Sequence, residues 1–148
     1  MNNEELKQRT KAFALRVIRM SEALPKKMTA DVLGRQIVRS ATSVAANYRS
    51  ACRAKSRADF VAKMGLEEEE ADESCLWLEL ITESGLLPPE KTSALHAEAG
   101  ELTAIAVASI RTARTVRPTP HSAIRTPQFP PSASDHSALR NPHSAIPK

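Results

Sequence analysis

The stretch Leu33-Gly-Arg-Gln-Ile-Val-Arg-Ser-Ala-Thr-Ser-Val-Ala-Ala-Asn-Tyr48 decides the fold class. Its apolar side chains recur at steps of four, four, three and four residues: Leu33, Ile37, Ala41, Val44 and Tyr48. This recurrence matches the 3.6 residues per turn of an α-helix, so one side of the helix is apolar and is expected to face a core. The stretch therefore predicts an amphipathic helix over about residues 30–54.

Three further segments have the same period. The first covers about residues 3–24 and ends before Pro25; its apolar face is Leu6, Phe13, Val17, Met20 and Leu24. The third covers about residues 56–84, and its apolar face is Phe60, Met64, Ala71, Cys75 and Leu78. The fourth begins at Pro88-Pro89-Glu90, and its apolar face is Leu95, Ala99, Leu102, Ala106 and Ala113. Four helices with short connections predict an all-α, antiparallel, up-down-up-down four-helix bundle.

Local signals support the ends of the third predicted helix. Ser56 followed by Asp59 resembles a capping box, and Gly85 is well placed as the C′ residue that stops the helix. The composition agrees with an all-α fold: aromatic residues make up 3% of the 148-residue chain, and there are 4 glycines. A β-sandwich or barrel normally uses more of both residue types.

The composition changes near residue 116. Residues 1–115 are assigned to the bundle, whereas residues 116–148 form a Pro/Ser/His-rich, low-complexity tail with seven of the ten prolines. The tail consists of four degenerate seven-residue repeats, and three of them contain proline, which removes helical hydrogen bonds. We expect the tail to be disordered, because it buries too little apolar surface to offset its ordering entropy. Its three histidines leave a metal-binding tail as an alternative to a repeat without function.

The second predicted helix carries four arginines on the side opposite its apolar face. We call this set the arginine ridge: Arg35, Arg39, Arg49 and Arg53. The ridge is about 27 Å long at about 1.5 Å per residue, and Lys55 and Arg57 follow it in the chain. Guanidinium groups suit phosphate oxygens, and the ammonium group of Lys55 adds a further positive charge, so these six residues are candidates for binding RNA or DNA. No aromatic residue lies on the ridge, which predicts contacts to the nucleic-acid backbone that depend little on sequence.

Two other surfaces of the predicted helices favour contacts between helices or subunits. A polar edge runs between the ridge and the apolar face: Gln36, Ser40, Ser43 and Asn47. The third helix has apolar residues outside its narrow stripe: Leu66, Leu76, Trp77, Leu80 and Ile81. A single small bundle buries about one stripe per helix, so this surplus predicts a subunit interface and a homo-oligomer.

Charge is segregated along the chain, and this leaves a second interpretation of the ridge open. From Lys7 to Lys63 there are 14 Lys and Arg residues and 3 acids, whereas from Met64 to Glu101 there are one Lys and 11 acids. The basic helices could attract a polyanion, or they could pair with the acidic segment Glu67–Glu73 of a neighbouring copy. In the second case the protein is a structural or protein-interaction module.

The sequence contains none of the enzyme motifs considered, so we predict a non-enzymatic protein without cofactor or metal. A dimetal site in a helical bundle needs Glu-x-x-His, but Ser93 stands three residues before His96, the one histidine of the bundle segment. Cys52 and Cys75 match no disulfide or zinc spacing, which favours a reduced, cytoplasmic setting. No apolar run approaches the ~18 residues of a membrane span, and the N-terminus lacks the pattern of a signal peptide.

The segment Gln36–Asn47 resembles a signature of bacterial four-helix bundle proteins. This family includes proteins encoded in intervening sequences of large-subunit ribosomal RNA genes and the accessory variability determinants of diversity-generating retroelements. The resemblance covers roughly residues 5–115 and continues through four further segments: Arg53–Phe60, Glu69–Ser74, Trp77–Ile81 and Gly85–Leu87. It implies a ring-like pentamer and, in the retroelement branch, binding to nucleic acid and a reverse transcriptase. Many relatives have Glu-Gly shortly after the Asn, where this chain has Tyr48-Arg-Ser-Ala51, so a role of that acid does not transfer.

Overall fold

The computed structural model describes residues 1–116, and they form four helices. The helices are α1 (Asn3–Glu22), α2 (Met28–Ala51), α3 (Arg57–Glu83) and α4 (Pro89–Thr115). Consecutive helices pack against each other, and α4 also contacts α1, which confirms the antiparallel four-helix bundle. The predicted helix ends were wrong by up to three residues, since α1 ends two residues early and α2 is shifted toward the N-terminus. The tail predicted to be disordered lies, from residue 117 on, outside the described residues.

Side-chain caps fix the starts of α1 and α3, whereas α2 and α4 begin without one. Before α1, the Asn2 side chain accepts a hydrogen bond from the Glu5 backbone N–H, and the Glu5 carboxylate accepts one from the Asn2 N–H, both at 2.8 Å. This is a complete capping box. Before α3, the Ser56 hydroxyl accepts from the Asp59 N–H at 3.0 Å, as the sequence predicts, but the Asp59 carboxylate accepts from the N–H of Lys55. The second hydrogen bond of the capping box therefore comes from the N–H of Lys55 and not from that of Ser56.

Gly85 ends α3 in the left-handed conformation, with φ of 77°. Its N–H donates to the Thr82 carbonyl at 3.0 Å, and the N–H of Leu86 donates to the Ile81 carbonyl at 3.1 Å. These two bonds form a Schellman motif, which satisfies the last carbonyls of the helix and turns the chain toward α4. The C′ role predicted for Gly85 is confirmed.

The core contains most of the predicted apolar faces, together with polar side chains that the apolar pattern does not reveal. Fully buried positions include Val17, Ile37, Val44, Met64, Leu78 and Leu102. Ile81, which was predicted to lie outside the core stripe, is buried. That prediction was wrong because α3 packs against both α2 and α4, which widens its buried face. Among residues 1–116, five polar residues are buried as well: Thr10, Ser40, Glu67, Ser74 and Thr92.

Candidate functional site

The arginine ridge is divided by its contacts with α3. Arg39 forms an ion pair with the Glu70 carboxylate at 3.1 Å and donates a second hydrogen bond to Glu73. Hydrogen bonding to Glu73 is the main cause of the raised pKa of Arg39, and the charge of Glu70 adds to it. Arg39 is therefore already engaged within its own chain.

Two of the predicted interface residues belong to this Arg39 network. The Gln36 side-chain oxygen accepts a hydrogen bond from Nε of Arg39 at 3.2 Å. On α3, the half-buried Trp77 indole donates to Glu73 at 3.1 Å, and this carboxylate therefore binds Arg39 and Trp77 together. The network joins the outer sides of α2 and α3.

Beneath the network, two serine hydroxyls join α2 and α3 in the core. Ser74 Oγ lies 2.9 Å from Ser40 Oγ, and both residues are buried. Ser43 and Asn47, the other members of the polar edge, are half-buried and make no side-chain hydrogen bond within residues 1–116. The polar edge therefore contributes Gln36 and Ser40 to the contact between helices of one chain.

The other three ridge arginines remain exposed to solvent. Arg35, Arg49 and Arg53 form no ion pair with any residue between 1 and 116. Arg35 lies about 21 Å along α2 from Arg49, at about 1.5 Å per residue. Lys55 and Arg57, the remaining candidates, are exposed where α2 leads into α3. The accessible basic set thus follows the outer side of α2 and its C-terminal connection.

Two shallow grooves between α1 and α2 border the ridge and bring further lysines to it. One groove, of about 500 Å³, has Lys11 and Arg49 among its lining residues and small side chains such as Ala45 between them. The other, of about 590 Å³, has Lys26 and Arg35 on its rim. Sequence reasoning did not find Lys11 and Lys26 as site residues. The excess of Lys and Arg before Lys63 indicated a basic surface, but only the packing of α1 on α2 shows which lysines lie beside the ridge.

Glu67 is the buried carboxyl of the bundle. Its side chain is 2% exposed, and its Oε2 atom accepts no hydrogen bond in the part of the chain that the structure describes. Burial, with a smaller contribution from neighbouring Glu68, raises the pKa of Glu67 to about 8. Within the acidic segment Glu67–Glu73, then, Glu67 is inaccessible while Glu70 and Glu73 bind Arg39.

The same 116 residues offer no centre for metal chemistry and no membrane helix. His96 Nε2 lies 2.8 Å from the Glu79 carboxylate, but no group of three potential metal ligands is found in residues 1–116. None of the four helices combines the length and apolarity that crossing a membrane requires.

The fold and these contacts define a small antiparallel bundle with unpaired, exposed ridge arginines along α2 and the connection after it, and with an acidic helix, α3, whose Glu70 and Glu73 pair with Arg39 of the same chain. The chain belongs to the 23S rRNA-intervening sequence protein family, which it matches over residues 2–108. It is also similar to a crystal structure of an S23 ribosomal protein family member of unknown function from Bacteroides thetaiotaomicron. The two are 31% identical with a TM-score of 0.69, over 75% of this chain and 99% of the other. No curated protein matches the chain significantly. The predicted family resemblance is confirmed, and neither description names an enzyme.

Proposed function

We propose that this protein is a non-enzymatic bundle that assembles with copies of itself and binds the RNA or DNA backbone through the exposed arginines. The observation that carries the proposal is the unequal engagement of the ridge: Arg39 has two carboxylate partners on α3, whereas Arg35, Arg49 and Arg53 have none in residues 1–116. The unpaired arginines are exposed positive charges available to an external polyanion.

The chemistry of these residues fits phosphate groups. Each guanidinium presents several donors in a planar arrangement that binds phosphate oxygens through two hydrogen bonds. Lys11 and Lys26 extend the positive surface from α2 to the grooves beside α1. Within residues 1–116, the α1 and α2 parts of this surface carry no exposed aromatic side chain for base stacking, since Phe13 and Tyr48 are buried, and the half-buried Trp77 of α3 is held by Glu73 beside Arg39. Binding is therefore directed at the backbone and depends strongly on salt.

Self-assembly strengthens such a site. The exposed leucines of α3 support an oligomer, and the family resemblance suggests a pentamer. In a ring, every subunit contributes three arginines, and weak contacts to one polyanion add up through multivalency. A reverse transcriptase is a further partner that the resemblance suggests. The family name refers to ribosomal RNA, so a ribosomal RNA fragment is the first ligand to test.

The test compares two arginine variants in fluorescence-anisotropy titrations with labelled RNA and DNA at several salt concentrations. Replacing Arg35, Arg49 and Arg53 together with Ala removes up to three phosphate contacts per subunit and lowers the slope of log K against log salt by about 2 to 3 for each subunit that contacts the nucleic acid. Arg39→Ala is the matched control: it removes an arginine of the same helix that is already paired, and the slope stays close to that of the wild type.

The alternative is a protein-interaction module whose ridge pairs with another subunit. In that case the triple variant dissociates, and the wild type binds neither RNA nor DNA at low salt. Circular dichroism of each variant verifies that the bundle is intact. A wild-type protein without salt-dependent binding at low salt contradicts the nucleic-acid part of the proposal.

A further inference from the structure

The end of the bundle where α2 and α4 finish brings separate parts of the chain together. The Tyr48 hydroxyl, near the end of α2, donates to the Asn3 side chain at the start of α1 at 3.4 Å. Phe60, near the start of α3, lines one groove with Thr112 and Ala113 of α4. The connection between α2 and α3 therefore lies at the same end of the bundle as the last turns of α4.

The last turns of α4 bring two arginines to this end that sequence reasoning did not find. Arg111 and Arg114 are about one turn apart on α4, and both are exposed. They line a groove of about 330 Å³ together with the half-buried Glu68 of α3. Glu68 forms no ion pair with either arginine within residues 1–116. Both guanidinium groups are therefore available to an anion outside the bundle.

The exposed charge at this end is mainly positive. We call the following exposed residues the basic end: Arg49, Arg53, Lys55, Arg57, Arg111 and Arg114. The acids at the starts of α1 and α3 are engaged locally: Glu4 with Lys7, Glu5 with Asn2, and Asp59 with Lys63. The opposite end of the bundle is mixed, because its lysines are accompanied by an acid on each helix: Glu22, Asp31, Glu83 and Glu90. The positive potential is therefore strongest at one end of the bundle.

We propose that the nucleic acid crosses the basic end of the bundle, and that Arg111 and Arg114 of α4 bind its phosphates together with the arginines at the end of α2. This deepens the proposed nucleic-acid binding and rests on it. The helices α2 and α4 lie at opposite corners of the bundle, since each packs on α1 and α3. With neighbouring helix axes about 8–10 Å apart, α2 and α4 are about 13 Å apart. The site therefore exists only in the folded bundle and not on α2 alone.

The competing explanation is that these two arginines only stabilise the end of their own helix. A positive side chain in the last turn of a helix interacts favourably with the helix dipole, and this interaction contributes about 0.3–1 kcal/mol. Such a role changes the free energy of unfolding but leaves the affinity for nucleic acid and its salt dependence unchanged. The two explanations therefore differ in what a substitution does to binding.

The test compares three double variants of the full chain. Arg111→Gln with Arg114→Gln removes both charges and keeps a good helix former at each position. Arg16→Gln with Arg19→Gln is the matched control, because these arginines of α1 are also exposed, three residues apart and unpaired within residues 1–116. Arg111→Lys with Arg114→Lys keeps the positive charge. Urea unfolding followed by circular dichroism verifies that each variant is folded.

Fluorescence-anisotropy titrations with labelled RNA and DNA at several salt concentrations give the result. We expect the α4 glutamine variant to lower the slope of log K against log salt by about 1 to 2 for each subunit that contacts the nucleic acid. The α1 control loses the same net charge but should retain most of the wild-type slope, because charges more than about 10 Å from the ligand are screened at 0.1 M salt. The lysine variant should restore the slope, since it counts the charges that meet phosphates.

Other outcomes overturn the proposal. Equal losses in the α4 variant and the α1 control show that binding depends on net charge and not on the basic end. An unchanged slope with a lower free energy of unfolding assigns Arg111 and Arg114 to the helix end alone. If the variant of Arg35, Arg49 and Arg53 weakens binding but the α4 variant does not, the proposed function stands and this inference is wrong. A wild-type protein without salt-dependent binding contradicts both.

Discussion

Glu67 provides the sharpest test of the core, because its side chain is 2% exposed and its Oε2 atom has no hydrogen-bond partner within residues 1–116. The folded state raises the pKa of Glu67 from 4.5 to about 8 by burial. The folded protein therefore holds this proton more tightly than the unfolded chain does. The contribution of Glu67 to the free energy of unfolding is fully present below about pH 4.5 and is lost as the pH rises toward about 8.

The size of this effect follows from the two pKa values. Between about pH 5 and about pH 9, a pKa difference of this size lowers the free energy of unfolding by up to about 4 kcal/mol. This figure is an upper bound, because relaxation of α3 would let water reach the carboxylate. Glu67→Gln keeps the shape of the side chain and removes its titration. We therefore expect the free energy of unfolding of Glu67→Gln minus that of the wild type to increase by about 2 to 4 kcal/mol as the pH rises over this range.

Urea unfolding followed by far-UV circular dichroism at about pH 5, 7 and 9 measures this difference. Only the change with pH is diagnostic, since the buried amide that Glu67→Gln introduces adds a constant offset. Glu69→Gln is the matched control on the same helix; because Glu69 is exposed, its effect should stay within about 0.5 kcal/mol. If wild type and Glu67→Gln respond to pH in parallel, the Glu67 carboxyl is solvated or paired in solution and the reasoning is wrong.

Two further predictions concern a helix end and the serine contact. Gly85→Ala should lower the free energy of unfolding by about 1 kcal/mol in thermal or urea unfolding, because φ is 77° at this position. Gly65 lies inside α3 with free space around it, so Gly65→Ala should instead raise the free energy of unfolding by about 0.5 to 1 kcal/mol. A destabilising Gly65→Ala would contradict this comparison. Ser40→Ala and Ser74→Ala should each lower the free energy of unfolding by about 1 kcal/mol. The double variant should lower it by less than the sum of the two single effects, with a difference of about 0.5 kcal/mol or more. Strictly additive effects would show that the two hydroxyls do not interact.

The fold was predictable from the sequence because the spacing of the apolar residues and the residues that start and end helices indicate the same four helices. The apolar faces around Val17, Ile37, Leu78 and Leu102 all lie in the core, and Gly85 ends α3 as predicted. These signals are local, since they depend on spacing within one helix and on the backbone conformation that glycine permits. The four-helix arrangement follows because each apolar face must be covered by another helix.

The contacts of the charged residues were less predictable, because they depend on which residues of another helix lie opposite. Glu67 looks in sequence like one of four consecutive solvated acids, Glu67–Glu70, yet it lies on the buried side of α3. A helical projection of α3 places Glu67 between Leu78 and Ile81 on the apolar side, so the signal was present but was outweighed by the residue's charge. Lys11 and Lys26 required the packing of α1 on α2 to be recognised.

The division of the ridge is also a question of register between helices. Arg35 and Arg39 are one turn apart on the same side of α2, so nothing within α2 distinguishes them. The register in which α3 packs along α2 brings Ser40 against Ser74 in the core, and in the same register Glu70 and Glu73 stand opposite Arg39. No carboxylate of α3 pairs with Arg35 in this register. The packing of α3 on α2, of which the buried serine contact is one part, thus decides which arginine is paired within the bundle and which remains exposed, so the charged surface of α2 depends on how the core of the two helices fits together.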